Sequence, residues 1–185
     1  MTVTEKWLLQ MDSGDVMKIK IITTGGTIDK IYFDQKSEFQ IGDPQIAEVL
    51  KGANVTLDYE ILSLLRKDSL DLTDEDRRLI HDTVRADSSR LFVITHGTDT
   101  MIQTARALRD ISGKVIVMTG AMQPARFRMT DAVFNIACAV TAVQLLSDGV
   151  YIAMNGRIFR PDKARKNVAM NRFEDLPERG SRIIG

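Results

Sequence analysis

Leu91-Phe92-Val93-Ile94-Thr95-His96-Gly97-Thr98-Asp99-Thr100 decides the fold. Its first five residues are apolar or β-branched without alternation, as expected of a strand covered on both faces by helices. The next five are small or polar, with Gly97 allowing a sharp turn and Thr98 opening a helix. A doubly covered strand that runs into a polar turn and a helix is half of a β-α-β unit. The same pattern recurs on either side. Residues 18–24 form an expected strand ending at Gly25 and Gly26. Residues 56–65 form a second, 114–119 a strand broken at Gly120, and 150–154 a fifth. Helices fill the intervals. One starts at Asp43 and Pro44, with Asp43 as cap and Ile46, Val49 and Leu50 inward. Another spans 73–85, with Thr73 capping, Asp76 closing an acidic variant of the capping box, and Leu79, Ile80, Thr83 and Val84 inward. A third runs from Thr98 with Ile102, Ala105 and Leu108 inward. A fourth, 131–146, is apolar nearly all round, implying deep burial or a subunit contact.

The expected class is therefore α/β: a doubly wound, mainly parallel sheet with helices on both faces, a Rossmann- or flavodoxin-like three-layer arrangement. In such sheets ligands bind outside the carboxyl ends of the strands, so a functional motif must fall just after a strand.

Composition narrows the partners. The 185 residues carry 25 lysines plus arginines and 25 aspartates plus glutamates, a formal net charge of zero. That balance argues against a nucleic-acid or membrane-surface protein. The single cysteine, Cys138, excludes an intrachain disulfide and a cysteine-based zinc site, and reads as helix packing. The two histidines, His81 and His96, are too few for a histidine-rich metal centre. No signal peptide or membrane span is apparent, so a cytoplasmic location is expected. Residues 1–15 read as an N-terminal extension, 16–170 as one catalytic domain and 171–185 as a C-terminal tail.

Three polar clusters satisfy the strand-end demand. Thr23-Thr24-Gly25-Gly26-Thr27-Ile28 presents hydroxyls and amide groups on a tight turn. It is neither a dinucleotide fingerprint nor a P-loop. His96-Gly97-Thr98-Asp99-Thr100 follows the third strand, with helix capping by Thr98 or Asp99 as its simplest role. Lys67-Asp68-Ser69-Leu70-Asp71-Leu72 follows the second. A Ser-His-Asp triad has no support without a Gly-x-Ser-x-Gly elbow, and His96 reads as a structural, hydrogen-bonded group.

Thr24-Gly25-Gly26-Thr27-Ile28 and His96-Gly97-Thr98-Asp99-Thr100 resemble the paired signatures of the bacterial-type L-asparaginase/glutaminase family. Asp68-Ser69-Leu70-Asp71-Leu72, Gly120-Ala121-Met122-Gln123-Pro124, Asp131 and Phe134-Asn135 continue the likeness in order. The resemblance implies a cofactor-free amidohydrolase that converts L-asparagine or a related small carboxamide to the acid and ammonia through an acyl-enzyme. It implies Thr27 as nucleophile. Thr98, Asp99 and a lysine beyond the fifth strand would act together; spacing from Met154-Asn155 selects Lys166, with Lys163 as the alternative. Ser69 and Asp99 would hold the carboxylate and ammonium ends of the substrate, with Thr98 and Asp68 beside them. No metal is implied. Backbone N–H groups around Thr98 are candidate oxyanion donors.

The pattern departs from the family in places. A family tyrosine near the nucleophile falls by count on Phe39, with Tyr32 as a substitute in worse register, and Leu70 replaces a commonly polar neighbour of the binding serine. About 20 residues follow Lys166, too few for the smaller C-terminal domain of the family, so the expected form matches the N-terminal domain only. A homodimer or higher homo-oligomer is expected. Two other readings compete: a non-catalytic amino-acid-binding module, and an amidase for a different amide. Among the basic residues from Arg157 to Arg172, solvated roles are expected for most, and the direction of Arg126 and Arg128 is open.

Overall fold

The computed structural model describes residues 18–33 and 38–177, apart from the side chains of Tyr32, Phe33, Glu38 and Phe39. The 1–15 extension and the end of the 171–185 tail lie outside the described residues. So do the side chains of Tyr32 and Phe39, the two candidates for the family tyrosine.

Strands β1 (Ile19–Gly25), β4 (Tyr59–Lys67), β5 (Leu91–Thr95), β6 (Val115–Thr119) and β7 (Gly149–Met154) lie parallel in one sheet. The antiparallel strand β8 (Arg157–Phe159) completes the six-stranded order β4-β1-β5-β6-β7-β8. After β4 is added on one side of β1, the later strands are added on the other, which makes β1–β5 the switch point at which doubly wound sheets open a crevice. Alternate residues of each strand feed two cores. Ile19, Ile21, Val93, Val117 and Tyr151 pack against α1 (Ile46–Gly52) and α4 (Ala132–Leu145). Ile22, Phe92, Ile94, Ile116 and Ile152 pack against α2 (Asp74–Ala86) and α3 (Met101–Ala107). The uniformly buried β5 and β6 are the doubly covered strands expected from sequence.

Two small ribbons stand at the carboxyl end. β2 (Lys30–Phe33) pairs antiparallel with β3 (Glu38–Ile41), placing Tyr32 opposite Phe39 in backbone register. β9 (Ala164–Asn167) pairs antiparallel with β10 (Arg172–Asp175), with Phe173 buried, so the folded unit continues through Asp175.

Helix α2 carries the capping box as read: Asp76 N–H donates to Thr73 Oγ1 (3.2 Å), and Thr73 N–H to Asp76 Oδ2 (2.8 Å). Three helix details differ from expectation. Leu79 is exposed at 44 % because Arg77 takes part of the inner face, its guanidinium held by Asp74 and Gln103. Asp43 does not cap α1; the Gln45 N–H donates instead to the Asp29 carboxylate from sixteen positions upstream (2.8 Å). Helix α3 begins at Met101 rather than Thr98, after Thr100. The Thr100 hydroxyl is drawn aside to donate to the Ser69 carbonyl (2.7 Å) and caps nothing.

Candidate active site at the switch point

The β1 turn is built for close approach. Thr24 Oγ1 donates to the Thr95 carbonyl (2.9 Å), tying the ends of β1 and β5 together. Gly26 then takes φ 91°, and a Cβ on it would stand 2.5 Å from Gly97 Cα, so only glycine fits where the two turns meet. The chain next winds through a single 3-10 turn, Thr27–Asp29. This leaves Thr27 half-buried at the crevice, its hydroxyl bonded to no partner among the described residues.

The second contact is as tight. A Cβ on Gly97 would lie 2.6 Å from both Cβ and Oγ of Ser69. Ser69 is 1 % exposed, and its hydroxyl has no hydrogen-bond partner among the described residues. A buried hydroxyl left unpaired costs free energy unless a ligand or water meets it. The neighbouring Asp68 is engaged: one oxygen accepts from Leu70 N–H (3.2 Å), the other pairs with Lys30 Nζ at 2.7 Å. Burial works against this carboxylate, but the Lys30 ammonium and the Leu70 N–H outweigh it and hold its pKa below the ordinary value.

Lys166 reaches the site from β9. Its Nζ lies 2.8 Å from Thr98 Oγ1 and 2.7 Å from Asp99 Oδ1. The strand that delivers it is fixed from behind. Asn155 N–H donates to Asn135 Oδ1 (3.0 Å), Asn155 Oδ1 accepts from Phe173 N–H (2.8 Å), and Phe173 stands opposite Lys166 in the ribbon. Asn135 itself is fully buried; its amide donates to the Gly120 carbonyl and to Asp131, whose carboxylate accepts from Met122 and Gln123 N–H. The Asn155 amide braces the β9–β10 ribbon, a role that the sequence did not single out, although the motif containing Asn135 was noticed. Lys163 lies elsewhere, in a concavity with Arg109 and Arg160.

Other polar groups sort themselves by contact. His96 is completely buried, with Nδ1 2.7 Å from the Gly97 carbonyl; burial pulls its pKa down to about 4, so the ring is neutral at ordinary pH. Among the basic residues, Arg157 pairs with Asp175, while Arg165 and Arg172 pair with Glu174. Arg126 is aimed by its Nε at Gln45 Oε1 (2.9 Å). Cys138 packs partly buried against the core.

The turns carrying Thr27 and Ser69 thus both pack against the Gly97 turn that carries Thr98 and Asp99, and Lys166 reaches that turn from β9. One hydroxyl stands free, a second is bonded to an amine, a carboxylate steadies that amine, and a buried serine lacks a partner. This set suits attack on a carbonyl with proton handling by the amine.

Comparison with known proteins identifies the family. Residues 18–175 match the family described as Asparaginase, N-terminal. The chain is 29 % identical to a glutaminase-asparaginase of Acinetobacter glutaminasificans over 168 residues, 81 % of this chain and 50 % of that protein. It is 30 % identical to a probable periplasmic L-asparaginase of Haemophilus influenzae over 159 residues, 80 % of this chain and 45 % of the relative. The solved thermostable L-asparaginase from Thermococcus kodakarensis superposes with a TM-score of 0.75 at 27 % identity, covering 86 % of this chain and 51 % of that one. The chain spans about half the length of the relatives it matches.

Proposed function

Since the chain belongs to the asparaginase family through its N-terminal domain, we propose that it is an amidohydrolase that cleaves L-asparagine or a related small carboxamide. The observation that carries this reading is Lys166 Nζ within hydrogen-bond reach of both Thr98 Oγ1 and Asp99 Oδ1, on the turn against which Gly26 packs.

In this mechanism Thr27 Oγ1 attacks the carboxamide carbon. Its proton passes toward Thr98 and the amine of Lys166, which Asp99 orients. Backbone N–H groups around Thr98 meet the developing oxyanion. Collapse of the tetrahedral adduct, with that proton handed on to the leaving nitrogen, expels ammonia and leaves an ester on Thr27, which water, activated by the same amine, hydrolyses to the acid. Ser69 Oγ, buried and unpaired, is the donor offered to the substrate α-carboxylate, and Asp99 the partner of its α-ammonium. The Lys30 pairing gives Asp68 a framing role, ordering the Ser69 turn. No cofactor takes part.

Purified protein is expected to release ammonia from L-asparagine, with the activity lost in Thr27→Ala. Full activity in that variant would remove the nucleophile from the scheme. If other carboxamides turn over while asparagine does not, the substrate assignment changes but the chemistry stands. The same reading has the protein act in the cytoplasm and self-associate through the outer side of α4, where Val133, Phe134 and Leu145 are exposed. A monomer in light scattering would refute the assembly.

A further inference from the structure

Asp29 is the one carboxylate on the nucleophile turn, and its position is unusual. It is 2 % exposed and closes the 3-10 turn that Thr27 opens. Its backbone N–H donates to the Gly26 carbonyl (3.1 Å), and its carbonyl accepts from Gly42 N–H (2.8 Å), closing the base of the β2–β3 ribbon. Its side chain leaves the turn altogether: Oδ1 accepts from Gln45 N–H at the start of α1 (2.8 Å).

Gln45 is in turn a hub, 6 % exposed. Its Nε2 donates to the Asp43 carbonyl (2.6 Å) and its Oε1 accepts from Arg126 Nε (2.9 Å). Arg126 rides on the loop after β6, which is itself pinned to the nucleophile turn by Ala125 N–H donating to the Ile28 carbonyl (3.1 Å). A closed circuit therefore runs from the nucleophile turn to α1, across to the β6 loop and back. Thr27 lies inside it without bonding to any member, so its hydroxyl is left available while the backbone that carries it is restrained from both sides.

We propose that Asp29 is a positioning residue: by accepting the Gln45 N–H it fixes the Thr27 turn against α1 and the β6 loop, holding the nucleophile in attacking range of a bound carboxamide. The proposal rests on the amidohydrolase reading for its kinetic consequence, and on the circuit alone for its structural one. The groups argued to bind substrate, Ser69 and Asp99, sit on the turns after β4 and β5, so loss of the Asp29 acceptor acts on the chemical step rather than on binding. An amide oxygen can accept the same N–H, so Asp29→Asn keeps the link and Asp29→Ala breaks it. Burial also holds the Asp29 carboxyl up at about 6, in keeping with a group retained for its contact rather than its charge.

Steady-state kinetics and amide hydrogen exchange on wild type, Asp29→Asn and Asp29→Ala test it together. Asp29→Ala is expected to lose about tenfold to a hundredfold in kcat with KM changed by less than about threefold, as for a nucleophile displaced by a fraction of an ångström. Asp29→Asn is expected to stay within about threefold of wild type, and exchange in segment 25–33 to accelerate in the alanine variant alone. Unchanged kcat in folded Asp29→Ala, or equal exchange in all three proteins, overturns the proposal. A wild type that hydrolyses no carboxamide defeats the amidohydrolase reading instead; exchange alone then judges the clamp, faster in Asp29→Ala and slow in Asp29→Asn upholding it.

Discussion

Two threonines, Thr27 and Thr98, each follow one of two glycines that pack against each other, and the fold treats them oppositely. Thr98 is 4 % exposed, its hydroxyl held by Lys166 Nζ, and that amine is held again by Asp99. Thr27 is half-buried, its backbone restrained by the Asp29–Gln45–Arg126 circuit and its hydroxyl bonded to nothing among the described residues. The difference teaches how the site divides its labour. A hydroxyl that relays protons profits from fixed partners, because its geometry must hold through both halves of a two-step reaction. A hydroxyl that must form a covalent bond profits from a fixed backbone and a free oxygen. Restraint at Thr98 is applied to the side chain; at Thr27 it is applied to the main chain.

The contrast is broken most severely at Thr27. Thr27→Ala removes the atom proposed to carry the acyl group, and a loss of about 10⁴-fold or more in kcat is expected in ammonia-release assays. Removing the proton partner should hurt less. Thr98→Ala and Lys166→Met are each expected to lower kcat by about 10²- to 10³-fold, and the double variant by little more than either alone, since the pair acts as one unit. A double variant whose loss equals the product of the two would show that they act separately.

Stability offers a sharper view of the Thr27 side. Asp29 has a native pKa near 6 against an ordinary 3.8, because burial disfavours its charge. Between these values the native protein keeps a proton that the unfolded chain has released. Its contribution is thus most favourable below about pH 4 and is lost as pH rises through about 6. The gap of roughly two units corresponds to about 3 kcal/mol. Chemical denaturation of Asp29→Asn should therefore lose less stability than wild type on going from pH 4 to pH 7; parallel curves would contradict the buried charge. Smallest is the backbone contact itself. Gly97→Ala drives a methyl into Ser69 and is expected to cost about 1–3 kcal/mol in the same measurement, unless the Ser69 turn gives way freely.

How much of this was readable in the sequence follows from how local each signal is. Strands β5 and β6 announce themselves because helices cover both faces, leaving no polar alternation to confuse the period. The Thr73–Asp76 box was legible because all its partners lie within one turn. Asp43 looked like the cap of α1 for the same local reason, yet Asp29 took that place from across the fold, and no local pattern reports it. Helix α3 starts late because Thr100 bonds a carbonyl on the β4 turn, again a tertiary event. Leu79 turned outward because the buried stem of Arg77 competes for the helix face, and apolarity alone ranks leucine ahead of arginine. The strands of β2–β3 and β9–β10 are only four residues long, and β9 and β10 are also rich in charge, so they carried little strand signal. At the site, the residues could be named from motifs and strand ends. Convergence of Gly26 on Gly97 and of Gly97 on Ser69 needed coordinates, whereas Lys166, the lysine that lies beside Thr98, was already preferred to Lys163 by spacing.

The most direct test of the central claim is to find the covalent intermediate. Protein mixed briefly with excess L-asparagine, quenched in acid and digested should yield the peptide containing Thr27 heavier by one aspartyl group, with Thr98 unmodified. An acyl group on Thr98 or on any other residue, or a Thr27→Ala protein that still forms the adduct, would contradict the account.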